Sequence, residues 1–272
     1  ETMNKMHNVG RILSMTALLG SSGLMTASTH ANTPEPPGLF SMLPGKSEAV
    51  LPEQAIAGRS KAVTIHYAKL NSGRCFVSLP DGVSFEAVRD LQQKWGNNQS
   101  AWVGRASGDT DSRVIIGTSG DAVAGPFAYE GRLFKLEPRA NGSHVLSEVL
   151  TSDPAPGLDP VEVFDTAAPG TGEAAIATPA ADGGPVMDVL VAYTPAIVSM
   201  HGTQGAEALI TLAVAEANQA YANSGMAPRL NLVATVLTNY AESGNMETDL
   251  IRLRGTSDGY MDELHTLRNT YG

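Results

Sequence analysis

Cysteine is almost absent from this chain: Cys75 is the only one in 272 residues. An internal disulfide is therefore excluded. Basic residues are scarce too, with 18 Lys and Arg against 28 Asp and Glu and a net charge of −10. A nucleic-acid partner needs clustered Lys and Arg to neutralise phosphates, so it is not expected, and an anionic membrane surface is not expected for the same reason. Aromatic residues make up only 6%. No run is long and apolar enough for a membrane span. Gly-rich phosphate loops and the strained G-x-S-x-G nucleophile turn are also missing.

The six histidines are His7, His30, His66, His144, His201 and His265. A catalytic zinc needs about three protein ligands converging on one point, and two histidines four apart on a helix achieve this by sharing a face. No two histidines here stand that close. Glu263 and His265 are two apart and point to different sides of a helix, as a solvated face would have them. His201, beside Gly202, reads as a loop residue. No catalytic and no metal-binding residue is assigned in this chain.

What is present falls into five stretches. Residues 1–31 carry Lys5 and Arg11 ahead of an apolar run and end in small residues around Ala27 and Ala31, the form of a signal peptide. Residues 32–61 are rich in Pro, Gly and Ala and read as a flexible leader. Residues 62–150 alternate short extended runs with turn signals such as Ser119-Gly-Asp121 and Ala140-Asn-Gly-Ser143, the pattern of an antiparallel β meander. One helical interruption is expected over 85–95, where Phe85, Val88, Leu91 and Trp95 recur at steps of three and four. Residues 151–185 lose all periodicity and interleave prolines with glycines, which makes them a linker.

In the last stretch, residues 186–272, Val186–Tyr193 reads as a strand buried on both faces. An amphipathic helix is expected over 206–221, with Leu209, Ile210, Ala213, Val214, Ala217, Ala220 and Tyr221 on its stripe and Ser224-Gly225 ending it. Arg229–Leu237 is a second strand, parallel to the first, which makes one βαβ unit. Two shorter helices follow, Met246–Arg254 and 257–271, with Ser257 or Asp258 as the cap of the second. Two strands bearing three helices leave sheet faces and edges that further strands normally cover.

Val189-Leu-Val-Ala-Tyr-Thr-Pro195, Ala213-Val-Ala-Glu-Ala-Asn-Gln-Ala-Tyr-Ala-Asn-Ser-Gly225, Tyr240-Ala-Glu-Ser-Gly244 and Gly255-Thr-Ser-Asp-Gly-Tyr-Met-Asp-Glu-Leu-His265 resemble the first half of secreted bacterial zinc endopeptidases of the metzincin type, most closely the peptidyl-Asp metalloendopeptidases. The upstream region resembles that family's pro-segment more loosely. The resemblance implies zinc in a full-length parent, protein or peptide substrates cut beside aspartate, and a secreted or periplasmic location. The zinc motif of that family, H-E-x-x-H-x-x-G-x-x-H, does not occur in these residues.

The expected fold is thus α+β: a β-rich antiparallel pro-domain followed by an incomplete α/β, metzincin-like catalytic subdomain. By resemblance, Cys75 can be an inhibitory zinc ligand in the zymogen; its alternation with Val77 and Leu79 equally suits a small buried apolar residue. Asp182 is the expected processing site, as the last aspartate of the linker before the catalytic strand. The expected function is the N-terminal part of a secreted zinc metalloendopeptidase precursor, inactive as it stands. The alternative is a non-enzymatic secreted binding or inhibitory module in which the β-domain carries the function; an open frame encoding H-E-x-x-H downstream of Gly272 discriminates the two.

Overall fold

The computed structural model describes residues 38–45, 55–96, 98–150 and 184–271. The expected signal peptide, most of the leader and nearly all of the linker lie outside the described residues, as does Asp182. Nine strands form one antiparallel sheet: β1 (Phe40–Met42), β2 (Ala55–Ile65), β3 (Arg74–Ser78), β4 (Ser84–Trp95), β5 (Gln99–Ala106), β6 (Arg113–Ser119), β7 (Ala122–Tyr129), β8 (Arg132–Pro138) and β9 (His144–Val149). A four-residue helix, α1 (Tyr67–Leu70), links β2 to β3. The spatial order β1-β2-β9-β8-β7-β6-β5-β4-β3 brings the two end strands together, where Leu39 N donates to Phe76 O at 2.6 Å. The sheet is therefore a nearly closed barrel, and closure leaves little edge exposed.

Alternation along each strand decides what fills it. Val77, Phe85, Trp102, Val114, Ile116, Val123, Phe127, Phe134 and Leu136 point inward and form one buried cluster. The residues between them, Ala101, Val103, Ile115, Ala122 and Ala124, point outward and are nonetheless buried. Something must cover that outer face. It is α2 (Pro195–Asn223), which runs across β5, β6 and β7.

The helix expected over 85–95 is a strand. A bulge between Arg89 and Leu91 adds Asp90 to β4, so odd-numbered Phe85 and Ala87 face the barrel interior while odd-numbered Leu91 and Trp95 face the outer cluster under α2. The change of face mid-strand produced the three-and-four spacing that mimics a helix. Pairing to β3 and β5 on either side holds the segment extended.

The βαβ unit stands as expected. β10 (Val186–Tyr193) and β11 (Arg229–Leu237) pair in parallel, and α2 crosses between them. α2 starts earlier than expected, with Pro195 in its first turn, and bends at Gly202, whose φ of 74° is open to glycine at little cost. It ends at Ser224, and Gly225 takes φ 68°. The buried side of α2 is wider than the expected stripe. Thr211, Leu212, Ala215 and Asn218 are buried, whereas Ala213 and Ala220 are exposed, because the helix is clasped by the barrel on one side and β10–β11 on the other.

β10 was expected to be covered on both faces. Val189 and Val191 pack beside α2, but Val186 and Met187, at the start of the strand, are exposed. α3 (Met246–Arg254) is capped by Asn245, whose side chain accepts from Thr248 N at 2.9 Å, and carries acids in its first turn and arginines in its last, as the helix dipole favours. α4 (Asp262–Tyr271) begins later than expected; Ser257 and Asp258 lie in the turn before it, where Asp258 accepts from Tyr260 N at 3.0 Å and Asp262 accepts from Gly259 N at 3.0 Å.

Candidate functional site

Ligands of open α/β sheets bind outside the carboxyl ends of the strands. At that end of β10 and β11 lies an open cleft of about 500 Å³, bounded by Pro195, Ser199, Asn239, Tyr240, Glu242 and Gly244. Thr194, the residue before α2, donates through its hydroxyl to Glu242. Tyr240 OH donates to Asp249, Ser243 N donates to the same carboxylate at 3.0 Å, and Arg252 donates to Tyr240 OH at 3.0 Å. The Arg252 guanidinium also lies 4.2 Å above the Tyr260 ring. Hydrogen bonds from Ser243 and Tyr240 hold the Asp249 carboxyl below its ordinary range. These bonds tie the start of α2, the loop after β11 and α3 into one wall.

The histidines do not converge. His66 shares a 2.8 Å hydrogen bond with Ser41, and buried His144 accepts from Val123 N at 3.0 Å through Nε2. Burial pushes the His144 imidazole down to about 4, so it stays neutral at physiological pH and Nε2 can accept that bond. His201 was expected in a loop; it lies on α2 just before the bend, and its Nδ1 sits 2.8 Å from Pro138 O. His265 lies on α4, half-buried, with Nε2 enclosed and without a hydrogen-bond partner. Among the described residues no three His, Cys, Asp or Glu side chains come together to hold a metal.

Cys75 sits on β3 among Val77 and Leu79, 5% exposed and inside the barrel. Burial pushes its thiol up to about 11, with Glu86 adding to the effect and Lys69 opposing it. The thiol is therefore protonated at neutral pH, whereas zinc takes the thiolate. A role as a zinc ligand would require β3 to leave the core.

The polar groups that do converge lie where α2 meets the barrel and β10. Glu207 on α2 accepts from Ser119 Oγ of β6 at 2.7 Å and from Tyr193 OH of β10 at 3.2 Å. Burial, reinforced by the Glu207 carboxylate, pushes the Tyr193 phenol up to about 12. Sequence reasoning did not single out Glu207. The signal was its position three and seven residues before Ile210 and Val214, a charge on the apolar side of a helix that must find a partner. Asn218 similarly closes α2 onto β11, donating to Leu230 O at 2.9 Å and accepting from Leu230 N at 2.7 Å.

Comparison with known proteins finds several curated relatives of one name. The chain is 38% identical over 210 residues to a peptidyl-Asp metalloendopeptidase of Stenotrophomonas maltophilia strain K279a, covering 70% of this chain and 49% of the relative. It is 41% identical over 168 residues to a peptidyl-Asp metalloendopeptidase of Xanthomonas campestris pv. campestris, covering 60% of this chain and 39% of that relative. A third, from Pseudomonas fragi, is 52% identical over 56 residues, 21% of this chain and 35% of the relative. The resemblance drawn from the motifs is thus a relationship to metalloendopeptidases that extends well beyond them. The chain spans about half the length, or less, of the curated relatives it matches. No family model and no solved structure matches the chain.

Proposed function

We propose that this chain is the N-terminal part of a secreted zinc metalloendopeptidase precursor, in which the barrel is the pro-domain and the βαβ unit opens the catalytic domain. The observation that carries the reading is the 36–41% identity, over 60–70% of the chain, to relatives named peptidyl-Asp metalloendopeptidase. Peptide-bond hydrolysis beside aspartate, with peptide or protein substrates, belongs in this reading to the longer parent. A second support is the apolar surface of the α/β unit: Met246, Leu250, Ile251 and Leu253 of α3 and Val186 and Met187 of β10 are all exposed. Such side chains clustered on one unit suit burial against a further part of a catalytic domain.

A metalloendopeptidase implies a metal, and the described residues do not fit one, because no trio of ligands converges. No catalytic step is therefore assigned to this chain. After dialysis the purified chain should hold only substoichiometric zinc and leave casein intact. Tightly held, stoichiometric zinc together with casein hydrolysis would overturn the reading of an inactive part.

Maturation of the parent gives a second expected outcome. Asp153, Asp159, Asp165 and Asp182 stand in the Pro- and Gly-rich linker, whereas Asp188, though its side chain is exposed, has its backbone held in β10 opposite Asn231. If the parent cuts beside aspartate, its secreted mature form should begin at or close to Asp182. An unchanged start site after all four linker aspartates are replaced by Asn would rule self-processing out.

A further inference from the structure

The tether expected to be cut on maturation is not what holds the two halves of the described chain together. At Gly117 on β6 backbone meets backbone: a Cβ there would stand 2.6 Å from Ala208 O and from Leu212 N, so the α2 backbone rests directly on the strand. Ala101, Ala122 and Ala124 keep the surrounding trough shallow, and Trp95 and Ile115 join α2's Leu212, Val214 and Ala215 in a single buried cluster. Polar contacts surround this seat. Glu207 binds Ser119, and His201 binds the carbonyl of Pro138. Ala140 N donates to Met200 O at 3.1 Å. The same helix carries β10 and β11 on its other side through Tyr193 and Asn218.

We infer that the barrel is a non-covalent cradle for α2: once the 151–183 tether is severed, the barrel stays bound to the α/β unit as a separate chain. The inference rests on the reading of that segment as a maturation tether only for its biological setting; the association itself rests on the seat. Physically, separation would expose two apolar faces at once, the outer face of β5–β7 and one side of α2, and would leave the Glu207 carboxylate without its Ser119 partner. Cleavage of the tether then does not release the barrel. Freeing the α/β unit needs a second event that destroys the barrel or competes for α2.

The test uses the full chain with a sequence-specific protease site inserted in the tether. After cutting, the two fragments should co-elute on gel filtration at micromolar concentration, at the volume of the uncut chain. Gly117→Val pushes a side chain into the α2 backbone, and Leu212→Asp places a charge in the seat from the helix side. Each should weaken the cut pair about 10- to 100-fold and let the fragments elute apart, with the strand signal of the barrel kept in circular dichroism. Because Gly117 lies in the barrel and Leu212 does not, a barrel that fails to fold in the first variant leaves the second to decide. Wild-type fragments that separate on cutting would overturn the inference, as would both variants remaining associated like the wild type. Neither readout needs zinc or peptidase activity, so the cradle and the precursor reading can fail independently.

Discussion

Replacing Phe127 by alanine is expected to remove about 3–5 kcal/mol from the barrel, the usual cost of emptying a large, fully enclosed aromatic site. Phe127 is completely buried, faces Phe134 across β7 and β8, and has its ring centroid 5.9 Å from that of Phe40. Phe40 belongs to β1, the short strand that closes the barrel against β3, so the cavity would open beside the weakest part of the closure. A domain holds only about 5–15 kcal/mol in total, so the loss consumes a large share of it. Because α2 rests on the other face of the same strands, its helical signal should melt together with the barrel. A urea titration followed by far-ultraviolet circular dichroism and tryptophan fluorescence checks both points. Phe127→Leu should cost less, under about 1.5–2 kcal/mol. An unchanged midpoint for Phe127→Ala would mean that the barrel interior is not packed around this ring.

Replacing Glu148 by alanine is the second large effect expected. Its carboxylate is 6% exposed and accepts from Arg132 twice, at 3.0 and 2.7 Å, and from Arg59 at 2.8 Å, while Arg132 also reaches Asp81 at 2.7 Å. Removing one member of a buried pair costs about 3–5 kcal/mol. Arg59 is half exposed and Arg132 about a quarter, so water can rescue them in part, and the expected loss is nearer ~2–3 kcal/mol.

The pH dependence follows with a definite sign. The hydrogen bonds from Arg132, joined by those from Arg59, outweigh burial and hold the Glu148 carboxyl down at about 2, against 4.5 for an ordinary glutamate. A carboxylate depressed on folding contributes stability that is complete above pH 4.5 and is lost as pH falls toward 2. His144 adds an earlier loss. Its imidazole, at about 4 rather than 6.5, resists protonation in the fold, so stability declines as pH falls from 6.5 to 4. The wild-type and Glu148→Gln curves should therefore run parallel through the His144 range and converge only below pH 4.5. Curves that stay parallel down to pH 2 would show that Glu148 carries no paired charge in the fold.

Much of the architecture could be read from local pattern. β5 to β9 follow from short extended runs and the turn residues that separate them, such as Ser119-Gly-Asp121 and Ala140-Asn-Gly-Ser143. β10, β11 and α3 lie where the sequence placed them, and Gly225 ends α2 as a left-handed residue should. β4 was misread because a bulge is a two-dimensional event: only pairing with β3 and β5 says that Asp90 is an extra residue and that the faces exchange there. The histidines and Cys75 were legible as far as spacing goes, since the absence of close histidine pairs is a property of the sequence alone. That His144 is neutral and the Cys75 thiol protonated required burial, which no local pattern supplies.

The sequence by itself determined the β-rich class, the βαβ unit and the relationship to metalloendopeptidases, because alternation, helical periodicity and motif strings are local or directly comparable. Only the tertiary structure decided that the strands close into a barrel and that α2 is buried on two sides. It alone brought Ser119 to Glu207 and set Gly117 beneath Leu212. These contacts join residues roughly ninety positions apart across the Pro- and Gly-rich linker, and their energy comes from two apolar faces finding each other, for which neither segment alone carries a signal.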